Sequence, residues 1–388
     1  MKKLAIVTTH PIQYNAPLFA LLHQRKNTDV RVFYTWGETV LQKKYDPGFD
    51  KIIEWDIPLL EGYNYEFLEN TAKQKGSHHY NGIINPGIIE RITEYNPDAI
   101  LVYGWKFNSH LRTLRHFKNK IPLWFRGDSI LLNERKNFKS FLKNILLKWV
   151  YSHIDIAFYT GTNNKIYFEK NGLKSSQLIA AFHAVDNTRF YNIGNRHSQA
   201  ACNMRDKLGV GKQDLIFLFA GKLTPTKDIG NLLEAFKNID NENAHLVIVG
   251  NGPEEDKLKS GYRDVKNLHF LDFQNQATMP AVYQLCDVFV LPSIGETWGL
   301  SINEAMAAGK AILASDHCGG AIDLISDGEN GYTFKAGDVK DLLSKMRKLI
   351  ASGESLATMQ ASSLKRIRQF TFTGFVEAIE SLFGKNNE

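Results

Sequence analysis

Seven residues separate Glu296 from Glu304 in Gly295-Glu296-Thr297-Trp298-Gly299-Leu300-Ser301-Ile302-Asn303-Glu304, which continues into Ala305-Met306-Ala307-Ala308-Gly309. The short apolar run Asp287 to Leu291 precedes them, closed by Pro292 and Ser293. The pattern reads as a buried strand, a loop and a helix, with one carboxylate in the loop and the other on the helix. At the start of such a helix the amides of Gly299, Leu300 and Ser301 are open to an anion. Helical spacing throughout would set the glutamates roughly 12 Å apart along the axis. That is the span from the sugar ring to the ribose of a nucleotide-diphosphate sugar, with the diphosphate at the helix end. Two carboxylates flanking a scissile bond are also the signature of a glycosidase, so the pair has to be weighed with its surroundings.

Those surroundings are basic. Gly221-Lys222-Leu223-Thr224-Pro225-Thr226-Lys227 follows another apolar run, Leu215 to Ala220, and two lysines in a strand-end loop suit a diphosphate or are merely solvated. The Gly-x-x-x-x-Gly-Lys-Ser/Thr pattern of a P-loop is absent. Val249-Gly250-Asn251-Gly252-Pro253 is a tight turn in which Gly250 and Gly252 let the backbone come close to a ligand. In the first half, His10 leaves the first strand and is either a turn residue or part of a site. Arg126-Gly127-Asp128 leaves another strand as a surface ion pair or as a pair facing phosphate (Arg126) and an acceptor hydroxyl (Asp128).

The elements that must hold these residues form two strand-helix series. Lys3 to Thr9, Asp29 to Thr35, Asp98 to Tyr103, Ile121 to Phe125 and Ile154 to Thr160 read as strands of the first. Leu215 to Ala220, His245 to Val249, Leu268 to Asp272, Val288 to Leu291 and Ala311 to Ser315 read as strands of the second. Such alternation predicts doubly wound parallel sheets that bind ligands beyond the carboxyl ends of their strands. The predicted domains are 1–195 and 196–369, with 370–388 a helix docking back on the body and a short tail. Residues 36–80 read as irregular and are expected to be an acceptor-side insertion. Residues 133–151 read as a helix with Lys and Arg between its apolar positions. It either covers the sheet with a solvated basic edge or lies on anionic membrane.

With 388 residues, two domains are the natural prior. Cys202, Cys286 and Cys318 are too few and too scattered for a disulfide framework or zinc site and favour a reducing cytoplasm. The apolar stretch Leu4 to Val7 is too short for an export signal, and no run approaches the roughly 18 apolar residues of a spanning helix. The net charge of +6 is unevenly shared, because residues 1–196 hold 27 Lys and Arg against 17 Asp and Glu. The basic half favours an anionic lipid or a lipid-diphosphate acceptor; nucleic acid is disfavoured for want of any recognised module. No Asp-x-Asp is present to hold a divalent ion.

Taken together, Gly221 with Lys222 and Lys227, Val249-Gly250-Asn251-Gly252-Pro253, Leu291-Pro292-Ser293, and Glu296 through Glu304-Ala305-Met306-Ala307-x-Gly309 resemble the nucleotide-sugar domain of glycosyltransferase family 4, of the GT-B fold. Asp327-Gly328-x-Asn330-Gly331 agrees with it. Thr9-His10-Pro11-Ile12-Gln13-Tyr14, Trp55-Asp56-x-Pro58-Leu59-Leu60-Glu61-Gly62-Tyr63 and Ala184-Val185-Asp186-Asn187 are similar to a bacterial surface-polysaccharide branch. The resemblance implies two Rossmann-like domains facing a central cleft and a retaining, metal-independent transfer. The nucleotide-diphosphate sugar, UDP-linked or else GDP-linked, is then a co-substrate and no cofactor is needed. It further implies that Glu296 meets donor-sugar hydroxyls, Glu304 the ribose, and Lys222 and Lys227 the diphosphate. Backbone from Thr297 and Trp298 to Ser301 completes the cradle, the base lies near Phe273, and His10 and Asp128 line the opposite side. Lys222 departs from the arginine of most relatives, keeping the charge without the bidentate fork. His10-Pro11-Ile12 replaces the Gly-rich first loop of many. A GT-B phosphorylase or epimerase and a non-catalytic nucleotide-sugar-binding scaffold are the competing readings; the lysines and Glu296 are all kept, which disfavours the scaffold.

Overall fold

The computed structural model describes residues 1–38, 44–132, 134, 138–191 and 195–385. By contact, the chain divides into two units. Unit 1 is Met1–Lys43, Pro58–His183 and Phe372–Glu388; unit 2 is Lys44–Ile57 and Ala184–Thr371.

In unit 1 the strands are β1 (Lys2–Thr8), β2 (Thr28–Tyr34), β5 (Asn64–Phe67), β6 (Ala99–Tyr103), β7 (Leu123–Arg126), β8 (Ile156–Tyr159) and β9 (Leu178–Ala180), while β3 (Lys44–Asp46) and β4 (Lys51–Ile53) form an antiparallel hairpin in unit 2. The seven strands of unit 1 make one parallel sheet in the order β5-β2-β1-β6-β7-β8-β9, with Leu4 opposite Val30 on one side and Ala99 on the other. Their near-continuous Val, Ile and Leu runs suit a sheet covered on both faces. Ile100, Val102, Leu114, Leu147 and Phe168 pack on one face; Leu4, Ile6, Phe19 and Trp124 pack on the other. That second face also takes Phe375, Val376, Ile379 and Phe383 of the last helix, Phe372–Lys385.

Unit 2 carries β10 (Leu215–Ala220), β11 (Ala244–Val249), β12 (Leu268–Leu271), β13 (Val288–Leu291), β14 (Ala311–Ser315) and β15 (Gly331–Phe334), parallel in the order β12-β11-β10-β13-β14-β15. Phe217 of β10 sits opposite Leu246 of β11 and Val288 of β13. Strand order reverses between β10 and β13, the position at which such sheets open a crevice for ligand.

Three details differ from the sequence expectation. Residues 36–80 contain β3, β4 and β5, strands of three or four residues too short for a period to show. Residues 44–57 join unit 2 rather than an acceptor-side insertion in the first domain. The chain also passes to unit 2 already at Ala184, where the Asn187 side-chain amide donates to the carbonyls of Ile367 (3.4 Å) and Phe370 (3.2 Å). The polar stretch after it holds a helix, Ser198–Leu208, closed by Gly209 in the left-handed region.

Candidate active site

Lys222 and Lys227 follow β10 and Glu296 follows β13, so the loops flanking the reversal point of unit 2 carry the candidate residues. Pro225–Lys227 is a single 3-10 turn, and Ile294 N–H donates to Thr226 O at 3.0 Å, fastening the two loops side by side. Lys227 Nζ then forms an ion pair with Glu296 Oε2. Glu296 is itself pinned: its amide donates to His317 O (3.2 Å) and its carbonyl accepts from Gly319 N–H (2.9 Å). These two residues, 69 apart in sequence, are brought together with both side chains mostly covered.

The glycines of the neighbouring loop serve packing. A Cβ on Gly250 would lie 2.0 Å from Gly221 O, and one on Gly252 would lie 2.6 Å from Leu223 O and 2.9 Å from Gly48 O. The close approach inferred for this turn is therefore made by protein backbone, with Leu223 N–H donating to Asn251 O at 2.9 Å. Asn251 Oδ1 accepts from the Phe273 amide (2.8 Å), which fixes the segment expected beside the base.

The helix Leu300–Ala307 starts at Gly299. At its start the amides of Leu300 and Ser301 precede the first helical hydrogen bond, which Ile302 N–H makes to Gly299 O at 2.8 Å, and carry the positive end of the helix dipole. Trp298 is buried, its Nε1–H donating to Asn303 Oδ1 (2.8 Å) and its carbonyl accepting from Gly320 N–H (2.9 Å), so the indole is a foundation and not a ligand surface. Thr297 lies in the same loop. Glu304, 4% exposed, accepts from the Tyr283 hydroxyl at 2.6 Å. A buried carboxylate with a phenol donor is oriented, and Tyr283 is a residue that sequence spacing did not single out. Burial pushes the thiols of Cys286 and Cys318 up to about 12, which removes both as nucleophiles at neutral pH.

Lys222 is occupied differently. Its ammonium meets both Asp46 oxygens at 2.9 Å and lies 4.9 Å from the centre of the Phe49 ring. Asp46 and Phe49 escaped the sequence reasoning, and Trp55 entered it only inside a motif of resemblance, because nothing local ties residues 44–57 to unit 2. The available signal was Asp46-Pro47-Gly48, a turn triplet among aromatics.

The remaining candidates belong to unit 1. His10 follows β1 with Nδ1 2.9 Å from Thr9 Oγ1 and its ring edge-on to Trp36 at 5.1 Å. Arg126 is neither a surface ion pair nor turned outward to phosphate. It is 7% exposed, donates from Nη1 to Ala181 O at 2.7 Å and lies 4.3 Å from the centre of the Phe375 ring. Burial lowers its pKa, with Tyr103 and Asp128 acting in the other direction. Asp128 itself is exposed.

The helix Phe138–Tyr151 does not lay its main apolar stripe on the sheet. Leu147, Val150 and Tyr151 are buried, but Phe138 is 73%, Phe141 59% and Ile145 53% exposed, and Leu142, Leu146 and Trp149 are exposed as well. Lys143 and Lys148 are on the same helix; Asn133, Arg135 and Lys136, and the side chain of Lys139, lie outside the described residues.

Residues 202–366 match the family model for glycosyl transferases group 1. The chain is 26% identical over 234 residues to the alpha-monoglucosyldiacylglycerol synthase of Acholeplasma laidlawii, which is 58% of this chain and 58% of that protein, so under two thirds of that relative is spanned. It is 23% identical over 377 residues to the capsular polysaccharide biosynthesis glycosyltransferase CapM of Staphylococcus aureus, 93% of this chain and 90% of that one. The fold matches the Anabaena Alr3699/HepE structure in complex with UDP at a TM-score of 0.73, 17% identity, over 99% of this chain and 100% of that one. Residues 202–366 are thus similar to glycosyl transferases of group 1, and the fold of the chain is of the GT-B type.

Proposed function

We propose that this transferase moves a sugar from a nucleotide-diphosphate donor, UDP-linked in the first place and GDP-linked in the second, to a glycan or lipid-diphosphate-linked acceptor of a surface polysaccharide. The observation that carries the proposal is the Lys227–Glu296 pair beside the open end of the helix Leu300–Ala307, at the reversal point of the unit 2 sheet. A cation and free amides suit the diphosphate, and a carboxylate next to them suits sugar hydroxyls. Glu304, oriented by Tyr283, takes the ribose. Support for a UDP donor and for a capsular acceptor comes from what the Anabaena structure holds and what the S. aureus relative is named for.

In this reading Glu296 exchanges Lys227 for the sugar, and Lys227 turns to the phosphate. Leaving-group charge is met by Lys222, Lys227 and the first-turn amides, a preorganised electrostatic arrangement that takes the place of a divalent ion. The anomeric configuration is retained by front-face substitution, the leaving phosphate taking the acceptor proton. Work at the cytoplasmic face of a membrane follows from the lipid-linked acceptor. The helix Phe138–Tyr151 is the surface that meets the lipid.

The test is release of UDP that depends on acceptor. Glu296→Ala should abolish it while UDP still binds, and Lys227→Ala should lower turnover by about 10²–10³. Unchanged turnover in either variant removes the assignment. Release that depends on inorganic phosphate identifies a phosphorylase, and binding without release under every acceptor identifies a scaffold. A covalent sugar trapped on Glu296 in a slowed variant overturns the front-face route.

A further inference from the structure

The hairpin of β3 and β4 ends on the lysine placed above under the donor diphosphate. Asp46 holds the Lys222 ammonium with both oxygens at 2.9 Å. The same carboxylate accepts from the amides of Gly48 (2.7 Å) and Phe49 (3.3 Å). Phe49, over Lys222, also packs edge-on against Phe273 at 4.8 Å, and Trp55 meets Phe273 at 6.5 Å. Asn275 Nδ2 donates to Glu54 O (2.6 Å) and Ala277 N–H to Asp56 Oδ1 (3.0 Å), so the hairpin is fastened to the segment expected beside the base by its turn, through Phe49, and by the stretch that follows β4. All of these residues belong to unit 2.

A carboxylate with both oxygens on an ammonium occupies the ground that a phosphate oxygen would take. Two anions cannot share one lysine at this distance without strong repulsion. The Lys222 and Asp46 side chains are 40% and 32% exposed, and ion pairs so open to water are weak enough to exchange. We propose that Asp46 belongs to the donor site: in the donor-free protein its carboxylate stands on Lys222 as a surrogate for the diphosphate, and the donor binds by displacing it. The inference rests on the donor reading of Lys222 and adds a residue, a competitor and a hairpin to it. Phe49, seated between Lys222 and Phe273, moves with Asp46, so exchange at the phosphate end is felt at the base end.

Equilibrium binding of UDP and of inorganic pyrophosphate to the wild type, Asp46→Asn, Lys222→Ala and the double variant separates the two levels. Asn keeps an oxygen for the Gly48 and Phe49 amides, so the turn is retained while the competing charge is lost. Asp46→Ser, checked by circular dichroism, serves as a second variant if the first misfolds. Asp46→Asn should bind both ligands roughly fivefold tighter, the equivalent of about 1 kcal/mol for an exposed pair, and the gain should vanish on the Lys222→Ala background. Unchanged or weaker binding in Asp46→Asn, with Lys222→Ala weakened, overturns the surrogate role and leaves the donor site standing. UDP binding that ignores Lys222→Ala overturns the donor reading of that lysine itself.

Discussion

Lys227 and Glu296 were legible as residues but not as a pair. Each stands in a motif at the end of an apolar run, and strand-end position is readable because a short Val, Leu and Phe run closed by Gly or Pro has few other folds. Their direct contact depends on β10 and β13 being neighbours, which no local pattern states. Arg126 shows the opposite failure. Its place at the end of β7 resembles that of Lys222 after β10, yet its guanidinium turns inward under Phe375, a residue 249 positions later. His110 was not singled out at all, although it braces the loop beside His10: its Nε2 lies 2.9 Å from Thr35 Oγ1, and its Nδ1 faces the carbonyls of Tyr103 and Gly104 at 3.0 and 3.1 Å. Burial lowers its pKa to about 4, the two carbonyls opposing the shift. A histidine lowered in the fold leaves the unfolded chain as the better proton binder between the two pKa values. Its stabilising contribution is complete above about 6.5 and falls as pH drops toward 4, by a limit of about 3 kcal/mol. Urea unfolding from pH 7.5 to 4.5 should therefore show a steeper acid loss in the wild type than in His110→Gln; parallel curves would mean that the buried imidazole is not neutral.

At the level of elements, ten of the strands among the described residues were readable and β3, β4, β5, β9 and β15 were not. Each of these five has three or four residues; β3 and β4 pair with one another across a four-residue turn, while β5, β9 and β15 add to strands read elsewhere in the chain. The helix Phe138–Tyr151 was legible as amphipathic, but spacing alone does not tell which side meets the protein. The structure turns six large apolar side chains outward; Lys148 is exposed on the same helix, and Lys143, also exposed, reaches Glu134 at 3.5 Å. A stripe of this kind is a candidate interaction surface, and in the proposed reading its basic neighbours direct it to an anionic lipid surface. Each lysine near such a surface contributes about 1 kcal/mol, so Lys143→Glu with Lys148→Glu should weaken binding to phosphatidylglycerol vesicles at least tenfold. Phe141→Ser with Ile145→Ser should weaken it at every salt concentration, whereas the lysine variant loses its effect in high salt. Retained vesicle binding in both variants excludes the helix as the lipid surface. Wild-type protein that self-associates without vesicles, and dissociates in the serine variant, assigns the stripe to a second copy instead.

On the scale of the whole molecule, the order of the chain and the order of the units do not coincide. The chain enters unit 2 at Lys44, leaves it at Pro58, returns at Ala184 and ends in unit 1 from Phe372 onward. Composition marks a boundary where polarity rises, near residue 192, but the crossing is set by which sheet each side chain helps to bury, and that is long-range information. The final helix makes the consequence measurable. Phe375, Val376, Ile379 and Phe383 are all buried on the unit 1 sheet, Phe375 and Phe383 at 4.9 Å from Phe158 and Trp124. Arg25 adds an ion pair to Glu380 at 2.8 Å. At about 1.5–3 kcal/mol for each large apolar side chain, the helix contributes on the order of 10 kcal/mol, as much as the whole stability of an ordinary domain. Deleting residues 372–388 should therefore unfold unit 1 although the deleted segment is the last part of the chain. Phe375→Ala alone should cost about 3–5 kcal/mol. Limited proteolysis reads the outcome by position: early cuts within residues 58–183, with 202–366 persisting as a resistant fragment that still binds UDP, are expected. A truncated chain whose unit 1 resists protease as the wild type does would show that the helix lies on that sheet without sustaining it.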